Sequence, residues 1–75
     1  MIKNIRIIYI DPNEGAIECN RVIELFGLDD STFNGCDLIG IEDCVDILNK
    51  NGWSMVKCDM PHDDLIVTVF EKPND

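Results

Sequence analysis

Four cysteines, one histidine and fifteen carboxylates are the side chains of this 75-residue chain with chemistry to offer. A zinc site would draw at least three ligands from Cys19, Cys36, Cys44, Cys58 and His62, and their spacing fits neither a zinc ribbon nor a finger. A cysteine–histidine pair would have to use His62, which stands beside Asp63 in an acidic turn sequence. No cysteine opens an electropositive helix, and no glycine-rich elbow or phosphate-cradling loop is present. The segment from Asp30 to Asp37 begins like a calcium loop, with Asp30, Thr32 and Asn34 at alternate positions and Gly35 at the sharp turn. It then fails: Ile41 stands where the bidentate glutamate belongs, and Glu42 comes one residue late. The residues therefore predict a protein that is not an enzyme and has no catalytic, metal or cofactor-binding residue.

What the carboxylates can do collectively is present charge. Between Val22 and Asn49 lie Glu24, Asp29, Asp30, Asp37, Glu42, Asp43 and Asp46 with no basic residue among them. Carboxylates at i and i+4 on a helix, such as Glu42 and Asp46, stand about 5–6 Å apart. A nucleic-acid duplex presents a charge every ~1.7 Å of axis, so such a cluster can compete for a channel lined with Lys and Arg. An ordinary solvated acidic face would carry the same charges, and Glu42 and Asp43 also complement a helix dipole. Asp29, Asp30, Asp37, Glu42, Asp43 and Asp46 are the candidate partner-binding residues. The formal net charge of −9 points the same way. It repels nucleic acid and anionic membranes, and favours a basic protein surface, such as that of a nucleic-acid-binding protein.

No apolar run approaches the ~20 residues of a membrane span, and the N-terminal MIKNIRIIYI lacks the long apolar region of a secretion signal. Cysteines scattered through predicted elements, with no Cys-x-x-Cys pair, suit small buried hydrophobes in a reducing compartment. A cytoplasmic location is the expectation.

The elements that must position these residues follow from periodicity. Ile5–Ile10 is a strand, and its run of four apolar residues predicts a central place in the sheet. Asp11-Pro12-Asn13-Glu14 resembles a capping box and predicts a helix from Pro12 to about Phe26, with Ala16, Cys19, Val22, Ile23 and Phe26 buried and a stop at Gly27-Leu28. A hairpin turn at Pro12–Gly15 is the competing reading, because a glycine costs about 1 kcal/mol inside a helix. The segment from Asp29 to Gly40 reads as a loop, with room for a short strand or helical turn near Cys36–Ile39. Ile41, Cys44, Val45 and Leu48 then recur at helical spacing, and Asn51-Gly52 ends that helix.

Two strands close the chain. A four-residue loop at Pro61–Asp64 would set Met60 opposite Leu65, Cys58 opposite Val67 and Val56 opposite Val69, and make that face core. The reverse face would hold Trp53, Met55, Ile66 and Phe70. It is too apolar for plain solvent, so it is either covered by the Asp29–Gly40 loop or used as an apolar interface, for instance in a homodimer.

The run Leu48-Asn49-Lys50-Asn51-Gly52-Trp53-Ser54-Met55-Val56, with Val67-Thr68-Val69-Phe70-Glu71-Lys72-Pro73 after it, resembles the C-terminal half of a family of short bacterial and phage proteins of unknown function. Their pattern is a helix ending Leu-Asn-x-x-Gly-Trp and a hairpin closing on a Val-Phe-basic-Pro strand. The likeness covers fewer than half the residues, and the acidic middle segment departs from it. In size, acidity and expected fold the chain is also similar in kind to small phage anti-defence proteins, anti-CRISPR proteins among them, which implies inhibition of a nucleic-acid-binding effector. The sequence thus predicts a single α+β domain of order β-α-(loop)-α-β-β, with an antiparallel C-terminal hairpin and two helices packed on the sheet. Its expected role is a non-enzymatic interaction module, or alternatively a small structural or homo-oligomeric domain.

Overall fold

The computed structural model describes residues 3–73. Its elements are β1 (Lys3–Ile10), β2 (Ala16–Glu18), α1 (Cys19–Phe26), β3 (Leu38–Gly40), α2 (Ile41–Lys50), β4 (Ser54–His62) and β5 (Leu65–Pro73). The fold is α+β, with an antiparallel C-terminal hairpin as the sequence predicts. The main sheet has the order β1-β5-β4, and β2 and β3 form a small antiparallel ribbon.

The middle of the main sheet is β5, not β1. Along β1 exposure alternates: Ile8 and Ile10 are buried, whereas Ile5, Ile7 and Tyr9 are 52%, 41% and 55% exposed. A run of apolar residues covered on both faces would mark a central strand, but here one face has no cover among the described residues. Among the described strands of this sheet, only β5 is hydrogen-bonded on both sides.

The expected helix from Pro12 does not form. Asp11 accepts from the backbone N–H of Asn13 through its side chain and from those of Glu14 and Gly15 through its carbonyl, closing a single turn. Gly15 then adopts φ +68°, a left-handed conformation that ends the turn. The chain continues as β2, whose Ile17 is buried, and pairs with β3. The helical spacing seen in the sequence begins at Cys19, where α1 begins. At its end Gly27 has φ +64° and the Leu28 N–H reaches the Ile23 carbonyl at 3.0 Å, the expected Schellman stop. The end of α2 is likewise as expected, with Gly52 at φ +89° and the Trp53 N–H on the Leu48 carbonyl at 2.9 Å.

From Lys57 to Asp59 the hairpin register differs from the expected one by a residue, and at the turn by two, whereas Met55 still faces Phe70 as that register requires. His62 pairs with Leu65, leaving a two-residue turn at Asp63-Asp64, and Cys58 faces Thr68 rather than Val67. Irregularities at Val56 and at Met60-Pro61 each insert an extra residue into β4. Because side chains alternate along a strand, a slip of one residue exchanges the β4 side chains that share each face of β5, putting Cys58 beside Thr68 and setting Lys57 and Asp59 beside Val69 and Val67. Thr68 and Phe70 are buried and Ile66 is partly so, whereas Leu65, Val67 and Val69 point the other way.

The core therefore lies between the even-numbered face of β5 and the helices. Phe26 stands edge-on to both Trp53 and Phe70, with centroids 4.9 and 5.5 Å apart. Leu48, Val22, Cys19 and Cys44 complete the most deeply buried set. Thr68 sits among them because its hydroxyl donates to the Ile8 carbonyl at 3.2 Å. The Asp29–Gly40 loop contributes Phe33 to this core, but the principal aromatic cover over Trp53 and Phe70 comes from α1.

Candidate functional site

The six carboxylates singled out by sequence do not form one cluster. Asp29 is a turn former: its Oδ1 accepts the Ser31 backbone N–H and hydroxyl, both at 2.9 Å. Those two bonds, the backbone one first, hold its carboxyl below the ordinary value of 3.8. Asp30 is exposed in the same turn, and Asp37 is exposed while its carbonyl accepts the Cys19 N–H at 2.9 Å. Among the described residues, no group of three His, Cys, Asp or Glu side chains is placed to hold a metal ion.

Glu42, Asp43 and Asp46 do come together, because α2 puts them on its outer surface. That helix buries Cys44 and Leu48 and half-buries Ile41, Val45 and Ile47, so the remaining arc is polar. Glu42 and Asp43 occupy the first turn and Lys50 the last, each favourable to the helix dipole. The ion pairs among the described residues are Lys3–Glu71 and Lys57–Asp59, so none of the three α2 carboxylates is neutralised by a contact there.

These carboxylates border two depressions. Glu42 and Asp46 edge a groove of about 420 Å³ between α2 and the hairpin, whose floor is Ile41, Val45, Met55, Cys58, Ile66 and Thr68. Asp43, Asp46 and Lys50 edge a second cleft, also about 420 Å³, against the loop residues Phe33, Asn34, Cys36 and Leu38. Asp46 stands on the ridge between them. The first groove is the more apolar, and the charged rim over an apolar floor suits a segment that carries both kinds of group.

Of the four residues read from sequence as an apolar interface, Trp53 and Phe70 are interior, 4% and 1% exposed. They cannot present themselves to another chain. Ile66 is partly buried and Met55 is 42% exposed, and both line the groove under α2. The sequence reading missed Thr68 and Cys58 on that floor because they became neighbours only through the shifted register. Arg6 and Lys72 flank Trp53, each 5.9 Å from the ring, and Arg6 also donates to the Leu25 carbonyl at 3.1 Å.

The chain matches no family model, no curated protein and no solved structure. What can be said of function rests on its own chemistry. All four cysteines are free. Burial, with Cys19 nearby, pushes the Cys44 thiol up to about 11, and burial raises Cys19 as well, with Cys36 and Asp37 adding to it. Cys36 and Cys58 are exposed. No helix of the described residues is long and apolar enough to cross a membrane.

Proposed function

We propose that this protein is a non-enzymatic acidic interaction module that binds a basic surface of a larger partner through α2. The observation that carries this reading is the placement of Glu42, Asp43 and Asp46, exposed and without an ion-pair contact among the described residues, on the outer arc of α2, with Glu42 and Asp46 edging an apolar groove and Asp43 the cleft beside it. Lys or Arg side chains of the partner would meet the rim, and an apolar side chain between them would seat against Val45, Met55 and Ile66. The whole-molecule charge of −9 would steer such a partner in from a distance. Surfaces of this kind are what nucleic-acid-binding proteins expose. Competition with nucleic acid for that surface is the mode of inhibition this reading implies, in the manner of phage proteins that block defence effectors, with the cytoplasm as the place of action.

Asp29, Asp30 and Asp37 lie outside the groove, so their contribution would be to the surrounding field and not to its contacts. The binding expected is strongly salt-dependent. Affinity for the partner, captured from the host and then purified, should fall steeply as ionic strength rises and should be lost when Glu42, Asp43 and Asp46 are all replaced by Lys. Binding that is indifferent to salt and to those replacements would overturn the reading.

A further inference from the structure

Among the described residues nothing covers the odd-numbered face of the main sheet, at whose β1 edge Ile7 and Tyr9 share a depression with Arg21, Glu24 and Leu25 of α1. The cross-strand rows of that face are Ile7 with Val69 and Lys57, and Tyr9 with Val67 and Asp59. Ile5, Ile7 and Tyr9 are roughly half exposed, at 52%, 41% and 55%. Side by side on neighbouring strands with Val67 and Val69, they make a continuous apolar patch, not the scatter of single hydrophobes expected of an ordinary surface.

Among the described residues the charges on this face balance. Lys3 Nζ lies 3.7 Å from Glu71 Oε2, and Lys57 Nζ lies 3.3 Å from Asp59 Oδ2. Alternation along the strands puts all four side chains on the open side, and they sum to zero. The molecule's excess of nine negative charges therefore lies elsewhere. A basic partner would gain nothing from this surface, whereas two like-charged copies can meet on it without setting carboxylate against carboxylate.

We propose that two copies of the chain pair through this face, sheet against sheet about a two-fold axis, leaving α2 of each copy outward. An isologous contact uses the same patch twice, so an apolar, locally neutral face meets its own chemistry. Three strands about 4.8 Å apart and some eight residues long give a flat footprint of roughly 400 Å² per copy. That is about half of the ~800 Å² per partner of a standard interface, so the dimer is weak and concentration-dependent. The surface is on the opposite side of the sheet from α2 and does not depend on the reading of that helix.

Sedimentation of the full chain across a concentration series up to about 1 mM tests this. The average mass should climb from 8.5 kDa toward twice that value, and association should strengthen severalfold when salt screens the repulsion between copies. This is the opposite of the salt response expected of α2. The double substitution Ile7→Thr with Tyr9→Thr keeps charge and strand propensity and should weaken association by roughly tenfold or more. Ile5→Thr, on the same face and more exposed than Ile7, is the second variant should the first lose its fold. A chain that stays monomeric throughout the series would overturn the proposal and leave the face to a different protein. A dimer indifferent to substitution on this face would overturn it equally.

Discussion

Cys19 and Cys44 are each 1% exposed, whereas Cys36 and Cys58 are open to solvent, so the thiols divide into two pairs by accessibility. An aromatic disulfide reagent at neutral pH should titrate Cys36 and Cys58 quickly in the native protein, and Cys19 and Cys44 only as it unfolds. Four equally fast thiols would be incompatible with this core. The raised Cys44 thiol also sets a pH dependence. Ionisation is disfavoured in the folded state, so from the ordinary thiol value of 9.0 upward the unfolded chain loses its proton first. Stability is intact below 9.0 and should fall as pH climbs through about 11. Denaturant melts of Cys44→Ala and wild type should show the fall between those values weakened in the variant. Single residues of this kind were partly legible in the sequence. That Cys19 and Cys44 are buried followed from helical spacing, but Cys58 was expected inside and is exposed, because its environment depends on a pairing partner far along the chain.

Elements defined by their own neighbours were legible, and elements defined by distant ones were not. The stripe Ile41, Cys44, Val45, Leu48 and the stop at Gly52 are local signals, and α2 forms where they place it. The ribbon of β2 and β3 has three residues a strand, too few to show a period, and Ile17 and Ile39 are paired across the whole of α1 and the loop after it. The hairpin register from Lys57 to Asp59 depended on the two-residue turn and an inserted residue at Met60-Pro61, and a second insertion at Val56 returns Met55 to Phe70; no local rule marks either insertion. Gly15 offers a test with opposite signs for the two readings of the segment before α1. Its φ is +68° and the space where a methyl would stand is open, so Gly15→Ala should destabilise by about 1–2 kcal/mol from backbone conformation alone. Had Pro12–Phe26 been continuous helix, the same change would stabilise by about 1 kcal/mol. Urea denaturation reads the sign directly.

At the scale of the whole molecule the charge distribution is sided. One face of the main sheet is apolar and locally neutral; the other is covered by helices, and α2 carries three carboxylates without an ion-pair contact among the described residues, two of them over the apolar groove. The total charge was legible in the sequence, and so was α2 as part of its seat. Its sidedness was not, because which face of β5 is left bare is set by where α1 packs, through contacts such as Phe26 with Phe70 that lie far apart in sequence. If α2 is the binding surface, the position of its carboxylates matters and not the total charge alone. Two variants of equal net charge, compared for affinity to the purified partner at low salt, separate the two. One carries Glu42→Lys, Asp43→Lys and Asp46→Lys; the other carries Glu14→Lys, Asp63→Lys and Asp64→Lys, all exposed and away from the groove. The first set should lower affinity by roughly a hundredfold or more, while the second should slow association by no more than about tenfold. Equal losses from the two sets would mean that charge acts without regard to place, and α2 would have no special role.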